Sequence, residues 1–231
     1  MLYRKALSIL ALLPACLTSA TDEDVAGSAP PVATVTSAIT SVPAFKSLST
    51  VQNGTTLARP AGLAAGDFLL AALEYDATTV MVTPPPGWTL VADQIAGAGT
   101  AQVFHALVYK HVATASEPAQ YMFTAPADVY VDVQIADYTG VTAVDGVSSI
   151  GALTTTIAAP NLFTTQANEL LVSVFIAFDF GSWTVATGET QRSDFDANSL
   201  QDVLIPDIGP ANKHLASNTA TQQAAINVLL K

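Results

Sequence analysis

Residues 129–136 read VYVDVQIA, in which Val129, Val131, Val133 and Ile135 alternate with Tyr130, Asp132, Gln134 and Ala136. A period of two is what a pleated strand with one buried face imposes, because successive side chains point to opposite sides. The odd face is expected in the core and the face carrying Tyr130 and Tyr138 toward solvent. Outward from this stretch, residues 103–110 (VFHALVYK) alternate in the same way. Residues 68–75 (FLLAALEY) and 170–178 (LLVSVFIAF) are apolar on both faces, the pattern of short strands buried between layers. Residues 224–230 (AAINVLL) supply a last strand. Pro84 to Gly87 and the Asp145, Gly146 pair punctuate these segments as turns do, and no amphipathic run of three helical turns is present. The chain is read as all-β: two antiparallel sheets packed face to face in a sandwich, with jelly-roll or Greek-key connections.

An ordered echo points to two similar halves. Gly66–Ala71 (GDFLLA) is repeated as Ala167–Val172 (ANELLV), and each is followed by a tryptophan step, Gly87–Val91 (GWTLV) and Ser182–Val185 (SWTV). Trp88 and Trp183 are expected at matching places in the core.

The 231 residues are 50% hydrophobic and 12% charged, which excludes disorder over most of the length. Nineteen acidic residues stand against eight basic ones, the wrong sign for a nucleic-acid surface.

Arg4 and Lys5 precede an apolar run from Ala6 to Ala15, the layout of an export signal over residues 1–15. That run is about ten residues, half of the roughly twenty needed to span a bilayer as a helix. It ends in Leu13, Pro14, Ala15, Cys16, which resembles the lipobox of bacterial lipoproteins, although Pro14 is an uncommon residue there. The resemblance implies cleavage before Cys16, the only cysteine, and lipid attachment to it, so that the partner of the amino terminus is a membrane. Leu17, where aspartate commonly favours inner-membrane retention, implies display at the outer membrane or cell surface. Cleavage after Ala20, giving a freely secreted protein, is the competing reading. Residues 16–43 are rich in Thr, Ser, Ala and Pro and read as a flexible tether, with Val35–Ile39 as a candidate edge strand, and the sandwich is expected over residues 44–231. With one cysteine the domain holds by packing and has no disulfide of its own.

The succession GDFLLAALEY, TPPPGWTLV, VFHALVYKHV, YMFTAPADVYVDVQIADYTGV, AVDGV and APNLFTTQANELLVSVF resembles a domain found repeatedly in bacterial and phage surface proteins. Its pattern is G-D-x-L-L-x-A, then P-P-x-G-W-T, then Y-x-G-V and a Val-Asp turn, and it covers roughly Phe45 to Lys231. The resemblance implies a secreted β-sandwich with no catalytic residues to carry over. The chain departs from it at Thr139, where an arginine is usual.

The residue types needed for chemistry are sparse. Three histidines are present, and His105, His111 and His214 lie near no G-x-S-x-G elbow. His105 and His111 sit six apart, so a continuous strand holds them about 20 Å from each other, too far to share a zinc ion. Neither a P-loop nor a dinucleotide fingerprint occurs. Glu74 with Asp76, and Asp132 with Asp137, are the acid pairs a glycosidase reading would use. Asp194, Asp196, Asn198 and Asp202 place oxygens at alternate positions as a calcium loop does, but Ser199 and Ile205 stand where an EF-hand needs glycine and glutamate, and a plain acidic loop is the competing reading. Tyr130 and Tyr138 are the candidate exposed aromatics for stacking on a sugar. The expectation is a non-catalytic, surface-exposed lipoprotein whose head serves binding, adhesion or envelope structure, with a glycan or surface protein as partner. A carbohydrate-binding module, with or without calcium, is the first alternative and an extracellular polysaccharide-degrading enzyme the second.

Overall fold

The computed structural model describes residues 41–76, 82–98, 103–178, 181–211, 214–220 and 222–231. The export signal, Cys16, most of the tether and the candidate strand Val35–Ile39 lie outside the described residues.

The described chain is all-β. Its first half contributes β1 (Ala44–Val51), β2 (Thr56–Ala58), β3 (Phe68–Tyr75), β4 (Thr89–Ala96), β5 (Phe104–Val112), β6 (Gln120–Met122) and β7 (Val131–Thr139). The second half contributes β8 (Val144–Leu153), β9 (Thr156–Ile157), β10 (Leu162–Phe163), β11 (Glu169–Ala177), β12 (Thr190–Phe195), β13 (Asn198–Ile205), β14 (Pro210–Ala211), β15 (Ala216–Ser217) and β16 (Gln222–Leu230). Two five-stranded antiparallel sheets result, ordered β1-β7-β3-β5-β4 and β8-β16-β11-β13-β12. The order is the same in both. In each half the last strand returns across the sheet to lie between the first strand and the second long one, a Greek-key kind of return rather than a run of hairpins.

The sheets pack through a layer that includes Phe68, Leu70, Phe104, Val108 and Tyr138 from one and Leu170, Val172, Leu200, Ile226 and Val228 from the other. The outer face of each sheet is covered over its central strands. The ribbon β2–β6 brings Leu57 and Tyr121 over Leu69, Leu73 and Ile135, while β9–β15 and β10–β14 bring Ile157, Ala216 and Ala211 over the second sheet. Every residue of β3 and of β11 is buried, which is why both strands read as apolar on two faces.

Left-handed residues align the halves. Gly66 (φ +91°) and Asn168 (φ +61°) precede the central strands, and Gly87 (φ +87°) and Gly188 (φ +89°) precede β4 and β12. The next residues, Asp67 and Glu169, cap their turns alike: Asp67 Oδ2 accepts the Ala64 N–H at 2.7 Å and Glu169 Oε1 accepts the Gln166 N–H at 2.8 Å. Pairing agrees, since Phe68 faces Val112 and Tyr138 where Leu170 faces Leu204 and Leu230. The repeat thus runs one residue later than the sequence echo placed it, with Gly66 matching Asn168. Trp88 then corresponds to Glu189 and not to Trp183, a correction to the expected pairing of the tryptophans.

One side of the sandwich closes where β8 meets β4. A Cβ on Gly151 would stand 2.3 Å from the Ile95 carbonyl oxygen, closer than van der Waals contact allows. At the opposite side, the Arg192 guanidinium lies 4.7 Å over the Phe45 ring. Substituting Gly151→Val is expected to destabilise the domain by about 1–3 kcal/mol, the usual cost of overpacking, measured as a lower urea midpoint with an unchanged slope.

Candidate functional site

The structure relocates most of the residues singled out in the sequence. Tyr138 is fully buried between the sheets, edge-on to Phe45 with ring centroids 5.9 Å apart, and burial pushes its phenol well above the usual range. Tyr130 is half-buried, and its hydroxyl donates to Asp196 Oδ2 at 2.5 Å. Neither is an exposed stacking surface. The reason is that the polar face of β7 points into the layer between the sheets, so both of its faces are covered. Trp88 and Trp183 are core residues, the first stacked on His111 at 5.3 Å and the second donating from Nε1 to the Ala197 carbonyl at 2.8 Å.

The four oxygens of the expected calcium loop are dispersed. Residues 194–202 form most of the β12–β13 hairpin, and alternation sends neighbours to opposite faces. Asp194 accepts the Trp183 N–H at 3.1 Å on the outer side, and Asp202 receives Arg192 Nε at 2.9 and 3.0 Å in the inner layer. Asp196, at the hairpin turn (φ +53°), accepts from Tyr130 and from Gln52 Nε2 at 3.0 Å. Among the described residues no three His, Cys, Asp or Glu side chains are placed to hold a metal ion.

What the hairpin does assemble is a carboxylate cluster at one end of the inter-sheet layer. Glu74 on β3 is the direct cross-strand neighbour of Asp132 on β7, a like-charge pairing that costs stability if both ionise. Asn198 Nδ2 approaches Glu74 Oε2 at 3.3 Å and Asp132 Oδ2 at 3.5 Å, and the Asn53 N–H donates to Asp132 Oδ1 at 2.8 Å. The Tyr130 hydroxyl that binds Asp196 stands 3.4 Å from Asp132 Oδ2. Burial, reinforced by the neighbouring acids, holds Asp132 at about 7 and Glu74 well above its usual range; burial alone raises Asp76 to about 6. The sequence pairs Glu74 with Asp76 and Asp132 with Asp137. Instead Glu74 meets Asp132, while Asp137 faces Lys46 on the other side of β7.

The halves differ in what lies under their outer covers. Across the first sheet, Ile135, Ala71 and Tyr109 form one row, and the matching row of the second sheet is Asn227, Ser173 and Gln201. Glu189, in the place of Trp88, accepts the Ser173 hydroxyl at 2.6 Å and lies 3.2 Å from His214 Nδ1. Burial raises Glu189 to about 7 and lowers His214, so each is shifted toward its neutral form. Gln201 braces the covering segment, accepting the Ala186 N–H at 2.7 Å. Sequence reasoning passed over Glu189 and Ser173; the glycine before Glu189, matched to Gly87, is the signal that would have aligned them.

Above this polar row the surface opens into a groove of about 490 Å³ lined by Thr155, Thr156, Ser182, Thr184, Ser217, Asn218 and Thr219. Its framework is backbone. β9 pairs with β15, and Thr184 pairs with Ser217 beyond it, N–H to carbonyl at 2.9 Å and Ser217 N–H to Thr184 Oγ1 at 2.8 Å. Asn218 ties the end, donating to the Gly181 carbonyl at 2.7 Å. Every lining side chain is a neutral hydroxyl or amide. The lining carries no charge, and much of its polarity is spent internally, Thr184 Oγ1 and Asn218 Oδ1 accepting and Thr156, Thr219 and Asn218 Nδ2 donating within the groove, which leaves Thr155 and Ser182 as the hydroxyls without such a bond.

Comparison with protein-family models, with curated proteins and with solved structures finds no match to this chain.

The Glu189 site carries a pH dependence of definite sign. A carboxyl that binds its proton more tightly when folded contributes stability at low pH, and that contribution is lost as pH rises from about 4.5 to about 7. Glu189→Gln keeps an acceptor for Ser173 and removes the titration. The variant is expected to be more stable than the parent at pH 8 by up to about 3 kcal/mol, at 1.36 kcal/mol per pH unit, and equal to it near pH 4, read from urea melts at the two pH values.

Proposed function

We propose that the chain is a non-catalytic, surface-displayed lipoprotein whose β-sandwich head binds a partner through loops and grooves rather than through a sheet face. The lipobox-like Leu13–Cys16 supports the anchor, and the tether after it supports display away from the membrane. Packing supports the placement of the binding surface: both faces of the central strands are used up by the second sheet and by the covering ribbons. Two of the histidines are hydrogen-bonded to a carboxylate, His105 to Asp93 at 2.7 Å and His111 to Glu117 at 2.9 Å, and His214 Nδ1 lies 3.2 Å from Glu189 without a hydrogen bond. They serve as structural partners in this reading.

The observation that carries the binding role is the uncharged groove beside β15. On an acidic protein, a patch made only of threonine, serine and asparagine favours a neutral partner, and a saccharide is the commonest hydroxyl-rich one on a cell surface. Carbohydrate binding is thus the specific form of the proposal. The exported protein is expected to retain neutral polysaccharide on a glycan array, and Thr155→Val with Ser182→Ala to weaken retention roughly threefold to tenfold, the loss of one or two net hydrogen bonds. Absence of any neutral-glycan binding overturns the carbohydrate reading. The anchor is tested separately: Cys16→Ser is expected to move the protein from the membrane fraction to the soluble one, and an unchanged distribution overturns it.

A further inference from the structure

The carboxylate cluster joins elements of both sheets, and we propose that a proton held between Asp132 and Asp196 latches the sandwich at this end, so that loss of the proton releases the hairpin turn Phe195–Asn198 from the first sheet. β3 presents Glu74, with Asp76 just beyond its end, and β7 presents Asp132, with Tyr130 just before it. The residues after β1 present Gln52 and the Asn53 N–H, and the β12–β13 hairpin presents Asp196 and Asn198. Among the described residues, the neighbouring charges that act most strongly on Glu74 and Asp132 are carboxylates. The basic side chains with ion-pair partners are engaged elsewhere, Lys46 with Asp67, Arg192 with Asp202 and Lys231 with Asp145.

Two ionised carboxylates in contact repel, whereas one carboxylic acid beside one carboxylate makes a strong charge-assisted hydrogen bond. Asp196 and Asp132 converge on one hydroxyl, Tyr130 standing 2.5 Å from Asp196 Oδ2 and 3.4 Å from Asp132 Oδ2, and its single hydrogen is already given to Asp196. A shared proton therefore completes the contact between the hairpin and β7. Asn198, 1% exposed, turns its Nδ2 toward Glu74 and Asp132, so the hairpin also brings a buried donor to the same carboxyls. The next rung inward is neutral, with Ser193 donating to Gln134, so the latch ends at the hairpin tip.

The closed turn binds the proton more tightly than the open one. Raising pH from the ordinary aspartate value to about 7 thus removes closing free energy progressively, and above that the loss levels off. Hydrogen exchange on the exported protein reads this directly. After correction for intrinsic chemistry, protection of the amides at Ala177, which donates to the Ala197 carbonyl at 3.0 Å, and at Asn198 is expected to fall by up to about tenfold per pH unit between pH 5 and 7, then to flatten, while Leu70–Leu73 in β3 holds constant. In Asp132→Asn/Glu74→Gln the same amides are expected to vary less than about twofold over the range; should that variant not fold, Asp196→Asn is expected to show a shallower fall than the parent. Protection independent of pH in the parent, an undiminished fall in the variants, or recovery of protection at pH 8 on adding millimolar calcium chloride would each overturn the latch, the last by showing that a cation and not a proton does the bridging.

Discussion

The central strands of both sheets are covered on both faces, and the rest of the molecule follows from that constraint. A sheet with one wet face can place its polar side chains in water, but here the inner faces meet each other and the outer faces lie under ribbons and loops. Polar side chains on the central strands are then driven to pair inside, because an unpaired buried group costs about 1–3 kcal/mol, although Asn227 Nδ2 and Gln134 Nε2 stay unpartnered. Gln134 meets Ser193, Asp132 meets Asn53, Ser173 meets Glu189 and Gln201 meets Ala186. Carboxylates that find no cation are held instead in their protonated range, as at Glu74 and Asp132. Polar contacts between layers thus fix which strand end meets which loop, while the apolar residues around them supply the bulk of the packing.

Two halves with one strand order solve the outer layer differently. In the first, Trp88, Tyr109, Tyr121 and Phe123 fill the space beneath the β2–β6 ribbon as an aromatic cluster. In the second, Glu189 stands in the place of Trp88 and Gln201 in that of Tyr109, and the apolar cover separates into two smaller clusters around Phe175 and Leu171. The fold is satisfied by the aromatic version, so stability alone does not call for the polar one. That contrast places the divergence between the halves at the segment 182–187 and β15, where the neutral groove lies.

The strands legible in the sequence are those with two apolar faces or a clean alternation. β3, β5, β7, β11 and β16 lie within a few residues of the bounds the sequence predicts, since eight or nine residues rich in Val, Ile, Phe and Tyr between turn signals favour a strand over a helix. The edges and the hairpin are not legible in this way. β1 (AFKSLSTV) and β8 (VDGVSSIGAL) carry Ser and Gly because an edge strand beside another layer needs small residues, as Gly151 does against Ile95. The hairpin β12–β13 looked like a calcium loop because its acids fall at alternate positions, which is the period of a strand as much as of a ligand loop. Tyr130 and Tyr138 were placed in solvent by a rule that holds for one-sided sheets; the alternation in β7 separates an apolar buried face from a polar buried one.

That last confusion explains why the candidate sites were hard to see. Alternation reports that two faces differ, and it is silent on whether the polar one meets water or another sheet. The distinction lies in the partners, which come from distant segments: Asn198 is 66 residues from Asp132, and Ser193 is 59 from Gln134. A strand whose polar face carries Asp and Gln between two apolar-rich neighbours is a candidate for a second layer whenever another segment supplies Asn, Ser or Tyr in the same period. β13, with Asn198, Leu200 and Asp202 on one side, is that segment, so a polar residue on its inner face answers one on β7. The two strands were read separately as a solvent face and an acidic loop, and their complementarity appears only when both are placed on facing sheets.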